Sequence, residues 1–181
     1  MKILHVLPCV SPLYGGPTVV ISQMAAALSL HGVAIDVVTT TAHGQGELDV
    51  PLHMPVYRDH ARYFYFLRTH PKFWMFSWSL RQWLYRHVLG YDLVHVHGLF
   101  AYTTLPACAA ARHFKKPYVI TPHGVLDPWC LSHKWWKKYP YYHLLERRNL
   151  EQVSALHVTS PFEAAGLAKL GFVKKNHVIP L

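Results

Sequence analysis

Carboxylates are scarce in this chain. Nine Asp and Glu stand against 18 Lys and Arg in 181 residues, for a formal net charge of +9. No Asp-x-Asp occurs, which removes the carboxylate-bound Mg²⁺ through which a metal-dependent transferase holds a nucleotide sugar. Cysteine is scarce as well. Cys9, Cys108 and Cys130 cannot pair completely and form no Cys-x-x-Cys, so a disulfide scaffold or structural zinc is disfavoured and a reducing compartment fits. The absence of Gly-x-Ser-x-Gly disfavours an α/β-hydrolase. The absence of Gly-x-Gly-x-x-Gly and of Gly-Lys-Ser/Thr leaves NAD and ATP sites of those kinds weakly supported. Charge itself is missing from Ile3 to Ile35. Pro8, Pro12, Gly15, Gly16 and Pro17 interrupt that stretch and only Lys2 precedes it, so it reads as two buried elements joined by a tight loop rather than a signal peptide or membrane span.

What is present is apolar mass. The chain is 51% hydrophobic and 14% aromatic, which excludes disorder and gives one domain, residues 1–181, with a core of its own. The cations are concentrated. Residues 58 to 148 hold 14 of the Lys and Arg but four of the Asp and Glu, and the rest of the chain is close to neutral. That asymmetry points to an anionic partner: a nucleotide diphosphate, a nucleic acid or anionic lipid.

Apolar runs alternate with helical patterns. Strands are predicted at 2–7, 33–40, 55–58, 91–97, 117–121, 155–159 and 176–180, and helices at 18–30, 73–88, 100–114, 135–153 (with a break near Pro140) and 161–170; residues 41–72 are otherwise irregular. The rhythm predicts an α/β fold with a doubly wound, mostly parallel, Rossmann-like sheet. The chain stops at Leu181 directly after a strand, with no closing helix, and is expected to be half of a two-domain protein.

In such a sheet ligands sit beyond the carboxyl ends of the strands. Gly15 and Gly16 follow the first strand and precede a helix, where free N–H groups and the dipole could hold an anion; a plain turn is the equal alternative. His97 and Gly98 follow a later strand. His95 and His97 share a face and could be metal ligands, but no third ligand accompanies them; His97 is expected to reach the cleft and His95 to be a satisfied core residue. His123 and Gly124 leave the next strand, where a histidine can donate to a sugar hydroxyl or phosphate or simply cap backbone. Ser160 follows the strand after that. Two stretches interleave aromatics and cations: one contains Arg62, Arg68, Trp74 and Trp78, the other Lys134, Trp135, Trp136 and Lys137. They suit a membrane interface, or else a core with a solvated cationic face.

The Gly15-Gly16 loop, Asp92-Leu-Val-His-Val-His-Gly98, Pro117-Tyr-Val-Ile-Thr-Pro-His-Gly124, Leu126-Asp-Pro-Trp129 and Ala155-Leu-His-Val-Thr-Ser160 together resemble the group 1 (family 4) glycosyltransferases, and Val178-Ile-Pro180 resembles the strand before that family's domain junction. The resemblance runs over nearly the whole chain. It implies the N-terminal, acceptor-side domain of a GT-B fold, from an enzyme that transfers a hexose from a nucleotide sugar with retention and no required metal or other cofactor. It also implies that Gly15 and Gly16 lie near the donor phosphates and acceptor, and that His123 contacts the transferred sugar. The family's Glu-x7-Glu motif is absent, since no two glutamates here are eight apart; that donor-binding half would lie in a C-terminal domain not in this chain, and this half alone would be inactive. The acceptor expected is a glycan or lipid-diphosphate-linked glycan in surface polysaccharide synthesis. The expected location is cytoplasmic, peripheral on the inner face of the membrane, with anionic lipid as a contact. Nucleic acid is not an expected partner, because no helix-turn-helix, RRM or KH pattern is present. The alternative is a non-catalytic nucleotide- or anion-binding Rossmann-like module.

Overall fold

A computed structural model describes residues 1–69, 72–126, 135–172 and 175–180, with the backbone alone for Trp135 and Lys137. The charge-free N-terminus forms β1 (Lys2–Cys9), a short 3-10 turn at Pro12–Tyr14, and α1 (Gly16–Ser29), and then β2 (Ala34–Thr40) follows. Gly32, at φ 70°, ends α1. Its N–H meets Ser29 O and the next N–H, from Val33, reaches Leu28 O, the paired bonds of a Schellman stop that needs a left-handed residue at this place.

After a small hairpin of β3 (Ala42–His43) and β4 (Gly46–Glu47) come β5 (Pro55–Arg58) and β6 (Ala61–Phe66), then α2 (Trp78–His87). The sequence predicts β5 but leaves β6 in an irregular region. The two strands pair antiparallel through Asp59 and His60, both at positive φ (48° and 61°). That is the geometry of a tight two-residue hairpin turn, made by residues that lack the usual Asn-Gly signature. The predicted helix over 73–88 begins late, at Trp78. Ser77 caps it by accepting the Leu80 N–H, and Met75 at φ 56° breaks the chain ahead of it.

The second half contains β7 (Leu93–His97), α3 (Thr104–His113), β8 (Tyr118–Thr121), α4 (Trp135–Tyr141), α5 (Arg147–Glu151), β9 (Ala155–Val158), α6 (Pro161–Lys169) and β10 (Asn176–Val178). Pro140 lies inside α4, and a π-helical turn over Tyr142–Glu146 separates α4 from α5. The break expected near Pro140 thus comes just after the proline, as a π-helical turn in which Arg147 N–H reaches Tyr142 O.

Eight strands form one sheet in the order β10-β9-β8-β7-β1-β2-β6-β5, parallel except for edge strand β5. This is a doubly wound sheet, as the sequence predicts. Chain order reverses between β1 and β7, so the switch point, where such sheets bind ligands, lies at the carboxyl ends of those two strands. One face carries Leu4, Val6, Val94, Val96 and Ile120 under α2, α3 and α5; the other carries Leu7, Ile35 and Val37 under Ile21 and Ala25 of α1. No helix among the described residues is long and apolar enough to cross a membrane.

Candidate functional site

Register brings a set of polar side chains onto one face at the carboxyl end of the sheet. His5 on β1 lies opposite His95 on β7, His97 lies opposite Thr121 on β8, and one further step along the β8–β9 pairing sets Thr121 beside His157. Side chains alternate along a strand, so His95, His97, Thr121 and His157 share the His5 face. His5, His95, His97, Thr121 and His157 are all buried. His123 follows two residues after Thr121, half-buried, at φ 55° beside Gly124 at φ 75°. A non-glycine residue in the left-handed region costs about 1 kcal/mol, held here by the bonds around it.

Two hydrogen-bonded chains run through this face. In the first, His5 Nδ1 meets His97 Nε2 at 2.9 Å and His97 Nδ1 meets His123 Nε2 at 3.1 Å. The ring centroids are 5.2 and 5.4 Å apart with planes within 25° and 21°. Those centroid distances exceed the nitrogen distances by about two ring radii, so the imidazoles meet edge to edge and in line. In the second chain, His95 Nε2 meets Thr121 Oγ1 at 2.7 Å, Thr121 Oγ1 meets His157 Nδ1 at 3.0 Å, and His157 Nε2 donates to Ile179 O at 3.0 Å. His95 also stacks face to face on His97, with centroids 4.2 Å apart.

Burial disfavours the charged form of His5, His95, His97 and His123. It lowers His5 to about 3. It holds His95 and His97 well below the ordinary value, with their histidine neighbours adding to the effect. It lowers His123 to about 4, against the opposing pull of the Glu163 carboxylate. Desolvation disfavours the charged form of each ring.

The third histidine that the His-x-His pattern lacked comes from β1. Nitrogens of His5, His95 and His97 all lie within 4.8 Å of one another. The arrangement fits a proton better than a metal ion. His5 Nδ1 and His97 Nε2 point at each other across 2.9 Å as a hydrogen bond, and an ion between them would need about 2.0–2.1 Å to each nitrogen.

The loop that holds His123 is fastened from β9 and α6. Glu163, 8% exposed, accepts from Gly124 N at 2.6 Å, Thr159 N at 2.9 Å and Thr159 Oγ1 at 3.2 Å. Ser160 caps α6 by accepting the Glu163 N–H. A buried carboxylate thus ties the first turn of α6 to the His123-Gly124 corner. The sequence alone does not single out His5, Thr121, His157 or Glu163. The Ser-Pro-Phe-Glu spacing of a capping box is the available signal for Glu163.

Several expected contacts change role. His97 is 1% exposed and reaches His5 and His123 rather than the cleft. Ser160 has its hydroxyl on the helix cap. Gly98 gives its N–H to Thr121 O, and Gly124 gives its N–H to Glu163, so neither offers that group to a ligand. Gly15 holds φ 68° and ψ −126°, a conformation open to glycine, and its N–H bonds Pro12 O. Pro17 has no N–H and that of Thr18 bonds Gly15 O, so the expected row of free donors reduces to Gly16, which is exposed and whose Cβ position is open space.

Arg62 and Arg68 are not the surface cations expected. Arg62 makes a bidentate pair with buried Asp36, with both contacts at 2.6 Å, at the amino-terminal end of the sheet. Arg68 is buried and bonds Glu47, Gly44 O and Gly46 O, bracing the β3–β4 hairpin. Trp74 donates to Tyr141 OH and packs edge-on against Tyr102 and Tyr141. Trp78 and Trp136 are exposed. Arg81 lies 4.6 Å over the Trp78 ring. Lys134, the side chains of Trp135 and Lys137, Cys130 and the 127–129 part of the Leu126-Asp-Pro-Trp129 motif fall outside the described residues.

The site is therefore a corner at the switch point. Loops after β1, β7 and β8 meet there, with Gly98 approaching Pro8 and His123 half-buried at its rim. A family model described as a glycosyl transferase 4-like domain matches residues 15–181. No curated protein matches the chain. Among solved structures, HepE of Anabaena, crystallised in complex with UDP and glucose, superposes with a TM-score of 0.62 at 16% identity, over 99% of this chain and 44% of that one. MurG of Acinetobacter baumannii gives 0.51 at 13% identity, over 99% and 44%. At such identities the likeness is one of fold: the chain spans less than half the length of these proteins and corresponds to one Rossmann-like half of a GT-B fold. By the family model, the chain belongs to the glycosyl transferase 4-like domain family.

Proposed function

We propose that this chain is the acceptor-side half of a retaining hexosyltransferase. A second, C-terminal domain would hold most of a nucleotide sugar, and the two would close over the corner between β1, β7 and β8. The observation that carries the reading is the placement of His123 and of the open Gly16 position at the switch-point corner of a family-typical fold. HepE, with the same fold over this length, was crystallised with UDP and glucose, which supports a uridine-linked sugar as the first donor to try. In this reading His123 meets the transferred sugar and Gly16 leaves room, with its N–H, for a diphosphate oxygen. Alone, the half would be inactive.

The acceptor we infer is a glycan on a lipid diphosphate, used in surface polysaccharide synthesis at the cytoplasmic face of the membrane. Support comes from exposed aromatics on neighbouring segments, Phe73, Trp78, Trp136 and Tyr139, with Arg81 over Trp78 and a regional excess of cations. The full-length enzyme, incubated with UDP-glucose and a polyprenyl-diphosphate glycan, should give a product that keeps the donor's anomeric configuration; an inverted product would remove the retaining mechanism. Sedimentation with anionic but not neutral vesicles is expected, and equal recovery in the supernatant would remove the membrane part.

A further inference from the structure

We infer that His97 and His5 act as positioning residues behind His123, fixing its tautomer so that it faces a ligand as an Nδ1–H donor. This rests on the reading that His123 meets the donor sugar. The argument starts at the buried end of the chain of rings. His5 is fully buried, and its Nε2 has no hydrogen-bond partner. A neutral imidazole carries one N–H and one lone pair. An orphaned buried N–H is rarer and costlier than an orphaned acceptor. The unpaired Nε2 is therefore the lone pair, and the hydrogen sits on Nδ1.

The rest follows ring by ring. His5 Nδ1–H donates to His97 Nε2. His97 must then carry its own hydrogen on Nδ1, which donates to His123 Nε2. His123 Nε2 is occupied as an acceptor, and its hydrogen is on Nδ1, the nitrogen left for a ligand. The opposite polarity would bury an unmet N–H at His5. The second chain fixes the opposite tautomer and is an internal reference: Ile179 O can only accept, so His157 carries Nε2–H, its Nδ1 takes the Thr121 hydroxyl hydrogen, and Thr121 accepts from His95 Nε2–H.

The chemical consequence is a restriction. Presented this way, His123 can donate to a sugar hydroxyl or a phosphate oxygen, but it has no lone pair on the exposed nitrogen to take a proton, and protonation at Nε2 would displace the His97 bond and make a cation, which burial opposes. It would act as a fixed neutral donor rather than a general base.

Long-range ¹H–¹⁵N correlation spectra of the ¹⁵N-histidine-labelled 181-residue chain at neutral pH test this directly. The expected pattern is Nδ1–H for His5, His97 and His123 with Nε2–H for His95 and His157. An Nε2–H signature at His123 overturns the inference. The His97→Phe variant, which keeps a ring in place but breaks the chain, should shift His123 towards the Nε2–H form. An unchanged His123 tautomer in folded His97→Phe would also overturn it, and if that variant fails to fold, the parent spectrum still decides. The pattern is read without ligand, so its failure leaves the donor-contact reading of His123 standing. Conversely, unimpaired full-length His123→Ala would end that reading without touching the tautomer chain.

Discussion

Lowering the pH from 7 to 5 should destabilise this chain, and a lower bound on the effect can be worked from the histidine face. His5 and His123 titrate near 3 and 4 in the folded chain, and His95 and His97 well below the ordinary 6.5. His5 and His123 are neutral in the native state at pH 5 and protonated once unfolded. A group with a lowered folded pKa contributes stability that is complete above its unfolded value and is lost as pH falls towards the folded one. Over this interval His5 and His123 contribute about 2 kcal/mol each, and His95 and His97 add in the same direction. Glu146 opposes them. Burial raises its carboxyl to about 7, despite hydrogen bonds from Asn149 and the Phe100 N–H. That group costs stability as pH rises from its ordinary 4.5, and returns about 2 kcal/mol on the way down to pH 5. The net loss from the three groups is about 2 kcal/mol, a sizeable part of the stability of an ordinary domain, and His95 and His97 increase it. Urea unfolding at the two pH values, followed by tryptophan fluorescence, should show the midpoint falling by about 1 M or more for a slope of about 2–3 kcal/mol/M. Replacing His5 by Phe should remove about 2 kcal/mol of that dependence. A midpoint unchanged between pH 7 and 5 would refute the reasoning, because it would mean that these rings are already charged or already solvated in the native state.

Three further outcomes follow from side-chain geometry. Glu163→Gln should cost about 2–3 kcal/mol in chemical unfolding, because an amide cannot accept at both ends while Gly124 N and Thr159 N remain buried donors; a loss under about 0.5 kcal/mol would mean that the corner is held otherwise. Asp36→Asn should cost about 2–3 kcal/mol at neutral pH. Burial alone would raise this carboxyl, but bonds from Arg62 and Tyr91 and the charges of Arg62 and Lys2 hold it below 3.8, so its contribution is lost as pH falls below that value and the difference between the variant and the parent should narrow there. Replacing Asp59-His60 by Asn-Gly should raise stability by about 1 kcal/mol, since both positions are left-handed; an unchanged or lower melting temperature would argue against that turn.

The sheet order is readable because its evidence is local. Short apolar runs such as Lys2–Leu7 and Tyr118–Thr121 can hardly be anything but buried parallel strands, and the β-α rhythm then dictates the winding. β6 is hidden because its turn uses Asp and His where glycine signals are sought, and because Tyr63 and Tyr65 alternate with residues facing the other layer. The candidate site is legible as a set of loops but not as a set of roles. Strand-end position alone assigns His97 to the cleft, whereas its face is fixed by pairing with β1 and β8, which no single segment reveals. Arg62 and Arg68 read as a cationic surface because their partners, Asp36 and Glu47, are 26 and 21 residues away. His5 gives no signal, since one histidine in an apolar strand acquires meaning only when β7 brings His95 and His97 beside it.

The central claim is that His123 stands where a nucleotide sugar is used. It is tested most directly by kcat/KM of full-length enzyme and its His123→Ala variant with the same donor and acceptor. The account predicts a fall of about 100-fold or more, with the variant still folded. A value within a few-fold of the parent would contradict it.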